Sequence, residues 1–187
     1  MTDEQFNEAL KRIRKKDKDA LKKIYEEYIG FIYHVILDIV KNKETAEDIT
    51  SEFFIKLWEK DVGYSPGKGH KGFLATMARN MAIDHLRKYK KEELMPGLSG
   101  EDDPPDELEL AADAKATPEE EVVGSLSVEQ ALEKLKPIYR QIITMKVLAD
   151  MTFKEIASVL DMPMGTVTWN YREAIKQLRR FGYDQEF

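Results

Sequence analysis

The chain of 187 residues contains no cysteine, so disulfides and thiolate metal sites are excluded and a reducing compartment is permitted. Histidine is almost as scarce: His34, His70 and His85 are scattered, no His-Glu metal motif occurs, and no nucleophile stands in a recognisable setting. These absences argue against an enzyme, and they give no reason to expect a metal or cofactor. Long apolar runs are also missing. The most apolar stretch, residues 29–40, is interrupted by His34 and Asp38 and is too short to span a bilayer, and the first sixteen residues lack the apolar segment of a secretory signal. The expectation is a soluble cytoplasmic protein without membrane insertion.

What is present is charge, unevenly placed. Residues 1–91 carry 19 basic and 15 acidic groups, residues 92–124 carry 1 and 12, and residues 125–187 carry 9 and 8. The net charge of −6 therefore resides in one middle segment, and the flanking pieces are not acidic. That segment is rich in acid and proline and poor in large apolar groups, so it reads as a linker unable to bury enough surface to order itself. The expected organisation is all-α, with two small helical domains at residues 1–91 and 127–187 joined by a flexible acidic linker at 92–126.

The stretch 73–91, FLATMARNMAIDHLRKYKK, organises the first half. As a helix it places Asn80, Asp84 and Arg87 on one face, with Arg79 and Lys88 beside them, and sets Phe73, Met77, Met81 and Leu86 opposite. An Asn amide offers a donor and an acceptor to a base edge, and the basic end can hold phosphates. A solvated helix face with a basic C-terminus is the plainer alternative.

Helical periodicity also covers residues 3–15, through Phe6, Leu10 and Ile13, and residues 19–41, through Leu21, Ile24, Tyr25, Tyr28, Ile32, Val35, Ile36 and Ile39. A further helix, about 43–60, splits into a packed face and an acidic face of Asp48, Ser51, Glu52 and Ile55, suited to solvent or to a protein partner. Residues 61–72, DVGYSPGKGHKG, hold four glycines and a proline and read as a loop. Its Gly-Lys pair superficially resembles a phosphate-binding P-loop, but the glycine spacing and the following Ser or Thr are wrong. Tyr64, Lys68, His70 and Lys71 form instead a mixture able to stack an unpaired base and neutralise phosphates.

In the second half, Ser127 to Leu135 is a short helix, and Pro137 opens the next, which runs to about Leu148. Thr152-Phe153-Lys154-Glu155 is a capping box for a helix to Leu160, residues 161–165 are a turn, and a last helix spans 166–180. Short capped helix, tight turn and longer helix describe a helix-turn-helix whose second helix enters the major groove.

With both halves in view, the chain resembles a bacterial sigma-70 family factor of the extracytoplasmic-function (ECF) type. The resemblance rests on residues 46–58 (AEDITSEFFIKLW) and 73–87 (FLATMARNMAIDHLR) for region 2, and on 152–160 (TFKEIASVL) and 165–167 (GTV) for region 4. It implies core RNA polymerase and promoter DNA as partners, and family habit adds an anti-sigma factor. It also implies that Asp48, Ser51, Glu52 and Ile55 dock on the polymerase. Tyr64, Lys68, His70, Lys71, Arg79, Asn80, Asp84, Arg87 and Lys88 would then meet the −10 element, and Thr166, Thr168, Trp169, Asn170, Arg172 and Lys176 the −35 element. Thr168, Asn170, Glu173 and Ile175 stand where the family usually has basic residues, so weak −35 reading is expected. The residues alone also permit a stand-alone helix-turn-helix regulator, or an acidic adaptor. Polymerase binding by residues 1–91 separates the first from a sigma factor, and promoter binding the second.

Overall fold

The computed structural model describes residues 1–60, 62–64, 69–94 and 128–181. Among these the structure is all-helical: α1 (Asp3–Arg14), α2 (Lys18–Val40), α3 (Lys43–Glu59), α4 (His70–Leu94), α5 (Val128–Glu133), α6 (Pro137–Val147), α7 (Phe153–Leu160) and α8 (Met164–Arg180). The acidic linker expected at residues 92–126 falls largely outside the described residues.

Local chemistry fixes the helix starts. Thr2 and Gln5 close a capping box on α1, and the Asp17 carboxylate accepts from the amides of Asp19 and Ala20 to start α2. The chain reverses between them through Lys16 at φ 63, a left-handed turn. Asn42 caps α3 through the Thr45 amide at 2.8 Å, and the capping box read from Thr152 and Glu155 opens α7.

Helix α2 is the central element. It packs against α1, α3 and α4, and on a further side against α6. Phe6, Ile24, Ile32, Ile36, Ala46, Phe53 and Leu74 are all fully buried around it. Tyr25, expected in this core, is 43% exposed; with Ile24 and Tyr28 already inward, an adjacent position projects sideways. On α4 the buried row is Leu74, Ala75, Ala78 and Ala82, while Phe73, Met77 and Met81 are only half-buried. The core side of α4 is thus turned toward its small residues, which let helix backbones approach closely.

Two helix starts differ from the sequence expectation. Helix α4 begins at His70 rather than Phe73, because the Asp3 carboxylate of α1 accepts from the His70 backbone amide at 2.8 Å and supplies a cap from far away in sequence. Helix α8 begins at Met164 rather than Thr166, with the Pro163 carbonyl accepting from the amides of Thr166 and Val167.

Helices α5, α6 and α8 share a second core of Ala131, Leu135, Tyr139, Ile143, Ala174 and Leu178, and α7 packs on α6 and α8. Their other side is continuous with the first core, through Ile142, Met145, Met151, Ile156 and Val159. In this structure the two helical halves are therefore closed on one another, α6 on α2 and α7 on α4.

Candidate polymerase and nucleic-acid interfaces

Three exposed rows stand on this scaffold. The first is on α3, where Asp48, Ser51, Glu52 and Ile55 recur at i, i+3, i+4 and i+7 and are all exposed, Ile55 by 54%. The core residues Ile49, Phe53 and Leu57 fix this orientation from the other side of the helix. Tyr25 packs on Phe54 at 4.8 Å and adds an aromatic rim, in a shallow groove shared with Tyr33 and Ser51. Sequence reading missed that rim, although the adjacent Ile24 and Tyr25 were a signal that one of them had to project.

The second row is on α4. Asn80, Asp84, Arg87 and Lys88 are exposed, with Asp84 and Arg87 paired at 3.7 Å. Arg79 is half-buried; burial lowers its pKa, and its Nε has no hydrogen-bond partner. Lys71 is also half-buried. The sequence reading places Tyr64 and His70 on an open loop, but the structure buries both, at 8% and 4% exposure. The reason is α1: Phe6 inserts between them, with ring centroids 5.0 Å from Tyr64 and 5.1 Å from His70. Lys68 lies outside the described residues.

The third row is on α8. Trp169, Arg172 and Lys176 form one line at i, i+3 and i+7, with Trp169 58% exposed, and Arg179 and Arg180 continue it. The last two were not among the residues singled out from sequence, though basic residues closing a recognition helix are a readable signal for phosphate contact. Thr166 is exposed at the front of the helix. Thr168 is half-buried and its hydroxyl donates to the Met164 carbonyl at 2.9 Å. Asn170, expected to face DNA, is instead 94% buried, because it falls on the side of Val167 and Ala174 that packs inward. Glu173 is half-buried beside Lys176 at 4.0 Å. An edge contact between Phe153 and Tyr171, 5.2 Å between centroids, sets the angle of α8 against α7.

Between the two halves lies a buried polar contact. Asp38 of α2 is 5% exposed; it accepts a hydrogen bond from the Thr144 hydroxyl at 2.8 Å and pairs with Arg140 Nε at 3.5 Å, both from α6. Burial pushes the Asp38 carboxyl above the ordinary carboxylate range, opposed by Thr144, Lys41, Arg140 and His34. Elsewhere α7 packs on α4, and a Cβ on Gly69 would meet the Glu155 carboxylate at 2.8 Å.

Both halves of the sequence match known families. Residues 24–92 match the family model described as Sigma-70 region 2, and residues 125–178 that described as Sigma-70, region 4. The ECF RNA polymerase sigma factor SigW of Bacillus subtilis (strain 168) is 30% identical over 182 residues, covering 93% of this chain and 97% of SigW. The chain belongs to the ECF sigma factors of the sigma-70 family. It is a sigma factor that directs transcription initiation, and membership of this family implies no catalytic activity. The ECF RNA polymerase sigma factor BldN of Streptomyces coelicolor is 28% identical, over 92% of this chain and 64% of BldN. A solved structure of the sigma factor RpoE with the anti-sigma factor NepR from Bartonella quintana has the same fold, with a TM-score of 0.61 at 20% identity over 90% of this chain and all of RpoE. No helix among the described residues is long and apolar enough to cross a membrane.

Proposed function

We propose that this sigma factor works in the cytoplasm as a non-enzymatic, cofactor-free subunit, docking on core RNA polymerase through Asp48, Ser51, Glu52 and Ile55. The observation that carries this reading is the exposure of all four as one helical row, acidic with an apolar end, whose packed reverse holds it rigid. Residues 1–91 then form the polymerase-binding and −10 domain. The −10 contacts come from the α4 face of Lys71, Arg79, Asn80, Asp84, Arg87 and Lys88, together with the loop that holds Lys68. Tyr64, before that loop, and His70, the first residue of α4, are buried. Residues 127–187 form the −35 domain, which reads DNA through Thr166, Trp169, Arg172 and Lys176. Capture of an unpaired base offsets unstacking of a few kcal/mol and so favours melting. The tether between domains raises the effective concentration of the second reader once the first is bound.

An anti-sigma factor is a further proposed partner, supported by the RpoE–NepR complex among proteins of this fold. The test of the whole reading is transcription from fragmented genomic DNA by core polymerase reconstituted with this chain. Discrete start sites that require the chain support it, and starts identical to those of core enzyme alone oppose it.

The placement of Arg172 carries its own prediction. Arg172→Ala is expected to weaken promoter binding and to reduce the slope of log affinity against log salt by about one, the signature of one lost phosphate contact. Unchanged affinity and slope in a salt titration would show that Arg172 does not face DNA.

A further inference from the structure

Gly30 stands in the interior of α2, where a glycine weakens a helix relative to almost any other residue. Its φ is not positive, so the backbone does not call for glycine. No close approach calls for it either, since a Cβ there would meet nothing within 4 Å. The chain therefore forgoes helix stability at a position where a side chain would fit without strain. The space that a side chain would occupy is the groove between α2 and α3.

That groove, of about 380 Å³, is lined on α2 by Tyr25, Ile29, Gly30 and Tyr33, and on α3 by Phe54. Two hydroxyls also line it, and both are turned back on their own helix. Thr50 donates to the Ala46 carbonyl at 2.7 Å, and Ser51 to the Glu47 carbonyl at 3.0 Å. The groove thus offers aromatic and aliphatic surface, and its hydroxyls require no acceptor from a partner. Tyr25 is exposed yet rests on Phe54, with ring planes at 60°, so its ring is ordered before a partner arrives.

The rim is acidic. Glu47 borders the groove, and Asp48 and Glu52 stand beside it on α3, all three exposed. None of the three forms an ion pair among the described residues, so their charge is left for a partner. Ser51 lines the groove and also belongs to the row of Asp48, Ser51, Glu52 and Ile55, which makes groove and row one continuous surface.

We propose that this groove is the apolar half of the polymerase-docking surface: Tyr25 is its anchor, and Gly30 leaves space for an apolar side chain presented by a basic segment of core RNA polymerase. The inference rests on the proposed docking of the α3 row and deepens it by naming what enters beside that row. Basic groups of the segment meet Glu47, Asp48 and Glu52, while the side chain over Gly30 is desolvated alongside Tyr25 and Tyr33. An aromatic centre within a charged rim is the usual layout of a protein interface.

Equilibrium binding of the full chain to core polymerase, read beside thermal unfolding of the free chain, tests this with Gly30→Leu, Tyr25→Ala and Asp48→Lys/Glu52→Lys. Gly30→Leu fills the groove with a good helix former, so the unfolding temperature is expected to hold or to rise by about 2–4 °C. Core affinity is expected to fall at least about tenfold, the loss of a central contact. A purely structural role for Gly30 would not move stability and affinity in opposite directions. Tyr25→Ala removes the anchor and leaves the space open; it is expected to lose about tenfold in affinity, and it carries the test should Gly30→Leu fail to fold. Affinity within about twofold of wild type in the folded groove variants, with binding lost in the charge-reversal variant, would overturn the groove and leave the α3 row standing. Undiminished binding by the charge-reversal variant as well would remove the row too. A dimer of the free chain that Gly30→Leu dissolves, with core affinity unchanged, would assign the groove to a second copy and overturn the proposal.

Discussion

At pH 8, Arg140→Ala is expected to separate the two helical halves while each stays folded. Asp38 would then be a buried carboxylate whose remaining direct partner is the Thr144 hydroxyl. Removing one member of a buried pair typically costs about 3–5 kcal/mol, because the other charge is left uncompensated. The effect here should lie toward the low end. At 3.5 Å the Arg140–Asp38 contact is an ion pair without hydrogen-bond geometry, and Lys41 lies close enough to attract the same carboxylate.

The pH dependence has a definite sign. The Asp38 carboxyl is raised in the closed form, so closure binds a proton more readily than the open chain does. The stabilisation linked to that proton is complete below the ordinary carboxylate pKa of about 4 and is lost as pH rises through the raised value. Closure should therefore be tighter at pH 5 than at pH 8, and Arg140→Ala should matter less at pH 5. Asp38→Asn should flatten the profile. Since the chain has no cysteine, introduced pairs such as Lys43→Cys and Arg180→Cys accept two dyes cleanly, and energy transfer between them reports the distance. Arg140 also donates to the carbonyls of Glu133 and Leu135 at the end of α5. Thr144→Val is the companion variant, since it removes the 2.8 Å hydrogen bond without touching α5. Energy transfer that is unchanged in both variants across pH 5–8 would show that the polar contact does not hold the halves together.

The second large effect contrasts two faces of α3. Phe53 is fully buried, and Phe53→Ala should destabilise the α1–α4 half by about 3–5 kcal/mol through lost burial and the cavity left behind. Ile55, two residues on, is 54% exposed, and Ile55→Ala should change stability by no more than about 0.5 kcal/mol. Polymerase affinity reverses the comparison in kind. If Ile55 is an apolar anchor of the docking face, its truncation should cost more than about 1 kcal/mol of binding, or several-fold in Kd, with the fold intact. Phe53→Ala should lose binding only as far as it loses structure. Thermal unfolding followed by circular dichroism, set beside a core-polymerase titration, separates the two. A strong drop in unfolding temperature for Ile55→Ala would place that residue in the core and remove it from the interface.

Local signals in the sequence account for the helices and their caps. The Thr152 capping box and Pro137 at a helix start involve residues only a few positions apart, so a short window contains the whole interaction. Contacts made across the chain were not legible in that way. The start of α4 is set by a carboxylate 67 residues away, so reading residues 61–72 by composition ends the loop too late. The burial of Tyr64 and His70 has the same origin, since nothing near them in sequence announces Phe6. Asn170 illustrates a different limit. Polarity suggested an outward residue, whereas helical phase, set by Val167, Ala174 and Leu178, turns it inward. Phase was readable in principle and outranks polarity on an amphipathic helix. The Asp38 contact needed the packing of α6 on α2, which no spacing within either helix encodes.

The proposed docking of the α3 row on core RNA polymerase is tested by equilibrium binding of the purified chain to core enzyme beside an Asp48→Lys/Glu52→Lys variant. Both residues are exposed, so the variant should fold as the wild type does. Reversing two charges in the row should abolish binding that the wild type shows, and with it promoter-dependent transcription. Binding of equal strength by the folded variant would contradict the assignment of this face.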